Sequence, residues 1–145
     1  MAERHPNCAS LRLSVKAGGR ASACEELRVF VRTARQHEFA EIWVEHDRFP
    51  SVCALVHGQS AWMMYLRHDG DEGFSSRNAA YAGPRELMMK FMLANGQMDE
   101  YPASWTYPVE TVFDALVAFA RDGRVPDSIA WFNDSGDGAA SPHAP

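Results

Sequence analysis

Leu11, Leu13 and Val15 alternate with Arg12, Ser14 and Lys16, the period-two pattern of a strand with one buried face. Gly18-Gly19 breaks the run. Ser22-Ala23-Cys24-Glu25 then has capping-box spacing, with the Ser22 hydroxyl placed to accept an amide of the first turn and Glu25 to reach back. The helix predicted from there carries Leu27, Phe30, Val31 and Ala34 on one face and turns Arg28, Arg32 and Arg35 to water. From Ala40 the period returns to two, with Ile42 and Val44 on one side and Glu41, Trp43 and Glu45 on the other. Residues 47–50 turn the chain, and residues 52–57 and 61–68 read as two strands of a hairpin around Gly58-Gln59.

The polar run Asp69-Gly70-Asp71-Glu72-Gly73 predicts a loop before a short strand at 74–77, and residues 79–84 predict a second loop. Residues 86–93 and 98–101 read as strands joined by a tight turn at Asn95-Gly96. Met63, Met64, Met88, Met89 and Met92 are expected to fill irregular gaps in the core. Pro108 suits the first position of a second helix, where a missing N–H costs nothing. Val109, Val112, Phe113, Leu116, Phe119 and Ala120 form its buried stripe; Gly123 predicts a left-handed cap and Pro126 a stop. Residues 128–132 predict a last strand holding Ile129 and Trp131.

These elements predict a flexible 1–9, a single α+β domain over 10–132 and a disordered tail over 133–145, where no large apolar side chain offsets the entropy of ordering. The element order predicts one mostly antiparallel sheet of about six to eight strands with two packed helices. A chain of 145 residues can build that core without a disulfide or metal staple. Cys8, Cys24 and Cys53 are odd in number and lack CxxC spacing, as expected of reduced thiols. The start is polar and no apolar run is long enough for a membrane span, which predicts a cytoplasmic protein.

Charge changes the picture of the partner. The net charge is -5, and the acidity is concentrated beyond residue 69, where five Lys/Arg face eleven Asp/Glu. Such a surface repels phosphate backbones and attracts a basic protein, although the same balance also serves solubility. Gly18-Gly19 lacks any phosphate-loop pattern. The 69–73 loop lacks the ligand spacing of a calcium hand. His46, His57 and His68 could meet on neighbouring strands as zinc ligands but form no HxxxH or HExxH pair, and surface or structural roles suit them better. Cys24 has no accompanying His or Asn motif, and no GxSxG elbow exists. The expectation is therefore a non-enzyme with no catalytic residue, metal or cofactor.

Tyr101-Pro102, Pro108, Val112, Ala115-Leu116, Phe119, Gly123, Pro126, Ile129 and Trp131 together resemble the first-numbered immunity protein family of bacterial polymorphic toxin systems. The likeness extends over roughly residues 41–132, with Tyr107 and Arg121-Asp122 as departures from the family pattern. Pro108, Leu116, Phe119, Gly123, Pro126 and Trp131 carry it, and each has a structural reason, so they mark a fold rather than an active site. The resemblance implies an antidote that binds a cognate toxin, often a nucleic-acid deaminase or nuclease, by occluding its active site. Asp69, Asp71, Glu72 and Phe74 in one segment and Asp99 and Glu100 in another are the expected contacts. A small metal- or thiol-dependent enzyme and a general interaction module are the alternatives, and the sequence leaves the oligomeric state open.

Overall fold

The computed structural model describes residues 11–18 and 20–143. Its elements run β1 (Leu11–Lys16), α1 (Ala23–Ala34), β2 (Phe39–Glu45), β3 (Ser51–His57), β4 (Ser60–Leu66), β5 (Phe74–Arg77), β6 (Met88–Met92), β7 (Met98–Pro102), β8 (Tyr107–Pro108), α2 (Val109–Asp122) and β9 (Ala130–Asn133). A seven-stranded sheet has the order β1-β2-β3-β4-β5-β9, with β8 also paired to β4. The β1–β2 pair is parallel because α1 forms the crossover between them, and the other pairs are antiparallel. The expected α+β class, with two helices on a mostly antiparallel sheet, is the architecture observed.

Both helices cover one face of the sheet, here called the back. Leu27 and Ala34 of α1 and Val112, Leu116 and Phe119 of α2 close over Ile42, Val44, Met63, Tyr65 and Phe74. All six residues of the predicted α2 stripe are buried. The helix ends at Gly123, whose φ of 73° is the left-handed conformation and whose N–H reaches the Phe119 carbonyl.

Several local expectations change. Ser22 stands before α1 in an αR conformation with no side-chain cap bond; Arg20 instead bonds both Ser22 and Glu26, so the capping box does not form. Pro108 is the residue before α2, with ψ 141°, and pairs with Ser60. Its fixed φ suits either position, and the strand contact decides between them. Of the methionines assigned to the core, Met63 is fully buried, whereas Met88 is 47% exposed.

The largest difference is a second layer. β6 and β7 do not extend the main sheet but form their own two-stranded sheet that lies on the front face over Cys53, Leu55 and Trp62. Phe91 is fully buried beneath it, and Tyr101 stacks on Trp62 with ring centroids 4.3 Å apart. Glu41, on the strand face opposite Ile42 and Val44, is 6% exposed under this cover. Its carboxylate accepts from Arg12 (2.8 Å), Trp43 Nε1 (2.7 Å) and the Ala94 amide (2.8 Å), which ties β1, β2 and the hairpin turn together.

Beyond β9, Arg67 pairs with Asp137 at 2.8 Å, Asn133 donates to Asp137, and the His143 ring meets Tyr65 edge-on while its Nε2 accepts the Val125 N–H. The N-terminal segment 1–9 lies outside the described residues.

Candidate functional site

The 69–73 loop divides into a buried and an exposed half. The Asp71 side chain is only 2% exposed. It accepts from Arg67 Nε and Nη2, each at 2.8 Å, and from the amides of Arg67 and Gly73. Arg67 foremost, with these amides, holds the Asp71 carboxyl well below the usual carboxylate range. Gly73 completes the turn at φ +77°, where an added Cβ would collide with the Tyr65 carbonyl. Phe74 is wholly buried, with the Arg67 guanidinium 4.9 Å from its ring centroid. Asp71 and Phe74 thus build the loop and are not available as contacts. Asp69, with its side chain 83% exposed and Arg48 3.9 Å away, and Glu72, also exposed, point outward.

In the hairpin, strand alternation sorts the other two expected contacts. Met89, Phe91, Asp99 and Tyr101 face the sheet, whereas Met88, Lys90, Met98 and Glu100 face solvent. Asp99 accepts from Gln97 at 2.8 Å and from the Tyr101 hydroxyl at 3.3 Å. Burial first, and then Asp99, pushes the Tyr101 phenol up to about 12. Glu100 lies opposite Lys90 at the rim of an open cleft of about 540 Å³, whose lining includes His57, Tyr81, Leu87 and Met88.

A third cluster has no counterpart among the sequence-level expectations. The Arg77 guanidinium lies 3.5 Å from the Trp105 ring centroid and 4.7 Å from that of Phe132, a side chain half exposed at 52%. Arg77 Nη1 donates to Ser75 Oγ and the Ser76 carbonyl, both at 2.9 Å, and Ser75 Oγ donates to Asp134 at 2.7 Å. The Tyr107 hydroxyl donates to the Arg77 carbonyl and accepts the Ala130 N–H, locking β5, β8 and β9 together. The cluster depends on pairing between β5 and β9, which local sequence patterns do not encode.

The three histidines weighed as zinc ligands separate. His46 bonds the Phe119 carbonyl, His57 bridges the Lys90 carbonyl and Glu38, and His68 bonds the Asp69 carbonyl. Among the described residues, no three His, Cys, Asp or Glu side chains converge to hold a metal ion. Cys24 Sγ lies 3.7 Å from the Val117 carbonyl, and burial drives the Cys53 thiol well above its ordinary range. None of the described helices is long and apolar enough to cross a membrane.

The molecule is an α+β domain whose main sheet carries two helices on one face and a two-stranded hairpin on the other. The chain belongs to the family described as immunity protein Imm1, whose family model matches residues 15–133. That match spans every element from the end of β1 through β9, and includes Pro108, Leu116, Phe119, Gly123, Pro126 and Trp131. Leu116 and Phe119 are fully buried, and Trp131 packs against the back core beside Tyr65. Among curated proteins, none matches the chain.

Proposed function

We propose that this chain is a cytoplasmic antidote that binds a cognate bacterial toxin, a nucleic-acid deaminase or nuclease, and neutralises it by occluding its active site. Membership of the immunity protein family over residues 15–133 is the observation that carries this reading. The chain acts by stoichiometric binding, without catalysis or direct contact with nucleic acid. Asp69, Glu72, Asp99 and Glu100 form the acidic contacts; Asp69, Glu72 and Glu100 are exposed, while Asp99 is partly buried beside Tyr101. A toxin that acts on nucleic acid presents a basic cleft, and an acidic surface accelerates encounter with it and competes with phosphate.

Co-expression with the product of the adjacent upstream gene tests the reading, scored by cell survival and by co-purification. Survival with a stable complex is expected. The triple reversal D69K/E72K/E100K should weaken association by roughly 10-fold or more and flatten its salt dependence. Death of the cells and no complex would defeat the reading, and unaltered binding by the triple variant would remove the acidic contacts from it.

A further inference from the structure

The hairpin covers only part of the front face. Cys53, Leu55 and Trp62 lie beneath it, whereas Arg77 of β5 and Phe132 of β9 extend past its edge on the same side of the sheet. A row of rings leads outward from the covered half: Trp62 stacks on Tyr101, Tyr101 lies 6.0 Å from Trp105, and Trp105 faces the Arg77 guanidinium. The Phe132 ring centroid lies 4.7 Å from the same guanidinium. This places a partly buried arginine against two aromatic rings, with one of its nitrogens held by Ser75 and Ser76.

Such a cluster has the composition and preorganisation of an interface hot spot, in which aromatic and arginine side chains dominate and little entropy remains to be lost. Nη1 is occupied by Ser75 and Ser76, whereas Nε and Nη2 have no hydrogen-bond partner among the described residues. Those N–H groups remain as donors for acceptor oxygens of a partner. Asp134 is exposed and accepts from the same Ser75 hydroxyl that Arg77 Nη1 contacts, and Asp99 accepts from the Tyr101 hydroxyl within the row of rings. The carboxylates disfavour a phosphate-bearing ligand and favour a cationic protein segment.

We propose that the Phe132–Arg77–Trp105 stack anchors the cation-bearing surface of the toxin, with Asp134 as its charge partner. The proposal rests on the immunity reading above and specifies where that reading acts. Its occupant is a Lys- or Arg-bearing loop laid across the open half of the front face, where the ring of Phe132 takes apolar contact and Asp134 takes the charge.

The test is calorimetric titration, with the full chain and three variants, of a catalytically inactivated form of the toxin obtained by that co-expression. Phe132→Ala should weaken binding by about 30-fold or more. Asp134→Lys should weaken it by a further class of effect, raising Kd and reversing the salt dependence at this site. Val29→Ala, an exposed apolar position on α1 at the opposite face, should leave Kd within about threefold of the unaltered chain. Circular dichroism melts of each variant separate binding from folding; Asp134→Lys keeps the test decisive should Phe132→Ala unfold. Binding of both front-face variants within about threefold of the unaltered chain would overturn the proposal while leaving the immunity reading intact. Failure of the unaltered chain to bind would overturn the two together.

Discussion

Asp71 shows how one carboxylate can be misjudged as a contact when it is the centre of its loop. Four donors from Arg67 and Gly73 converge on it, and its side chain is 2% exposed. Replacement by Asn keeps the shape but removes the charge that pairs with Arg67, at an expected cost of about 2 kcal/mol. Because the folded carboxyl is held below its ordinary value, this contribution is fully present above the unfolded carboxylate range of about pH 4 and is lost as pH falls below it. Urea unfolding of the native chain and Asp71→Asn should therefore differ most at pH 7 and converge towards pH 3. A gap that stays constant or widens on acidification would show that the ion pair does not hold the loop. Phe74 teaches the same lesson: alternation places it opposite Ser75, and the register gives it the helix side, so a residue adjoining an acidic loop became core.

The hairpin of β6 and β7 is the element on which the front face depends. It is anchored by apolar contact through Phe91 and Tyr101 and by two polar ties, the Ala94 amide to the Glu41 carboxylate and the His57 ring to the Lys90 carbonyl. Glu41→Ala leaves the Trp43 indole and the Ala94 N–H without their acceptor, at an expected cost of about 2 kcal/mol. Hydrogen exchange should quicken at Ala94 and along β6 and β7 while α2 stays protected; uniform acceleration across the molecule would mean that the hairpin does not open as a separate unit. The strands of this hairpin, their turn and the α2 stripe were legible because each rests on local periodicity or turn chemistry, as at Asn95-Gly96 and Gly123. The layer they occupy was not legible. Glu41 and Trp43 share the strand face opposite Ile42 and Val44, and nothing local to them announces that residues about 50 positions later will cover them.

At the scale of the whole molecule, the two faces of the sheet divide the work. The back, closed by α1 and α2, is continuous core, and the residues that carry the family likeness, Leu116, Phe119 and Trp131 among them, belong to it. The front carries a partial cover with Glu100 exposed on its outer side and a stacked arginine, and the β4–β5 loop adds the exposed Asp69 and Glu72. That division explains why the fold and family were readable from sequence, while the burial of Asp71 and Phe74 was not. Core positions repeat a pattern every few residues, whereas the Arg77–Phe132 juxtaposition depends on a strand pairing across more than 50 residues. The central claim, the proposed neutralisation by stoichiometric occlusion, is tested most directly by titrating the catalytic activity of the product of the adjacent upstream gene with the purified chain. The account predicts that activity falls linearly and is abolished at one equivalent; activity that persists undiminished in excess chain would contradict it.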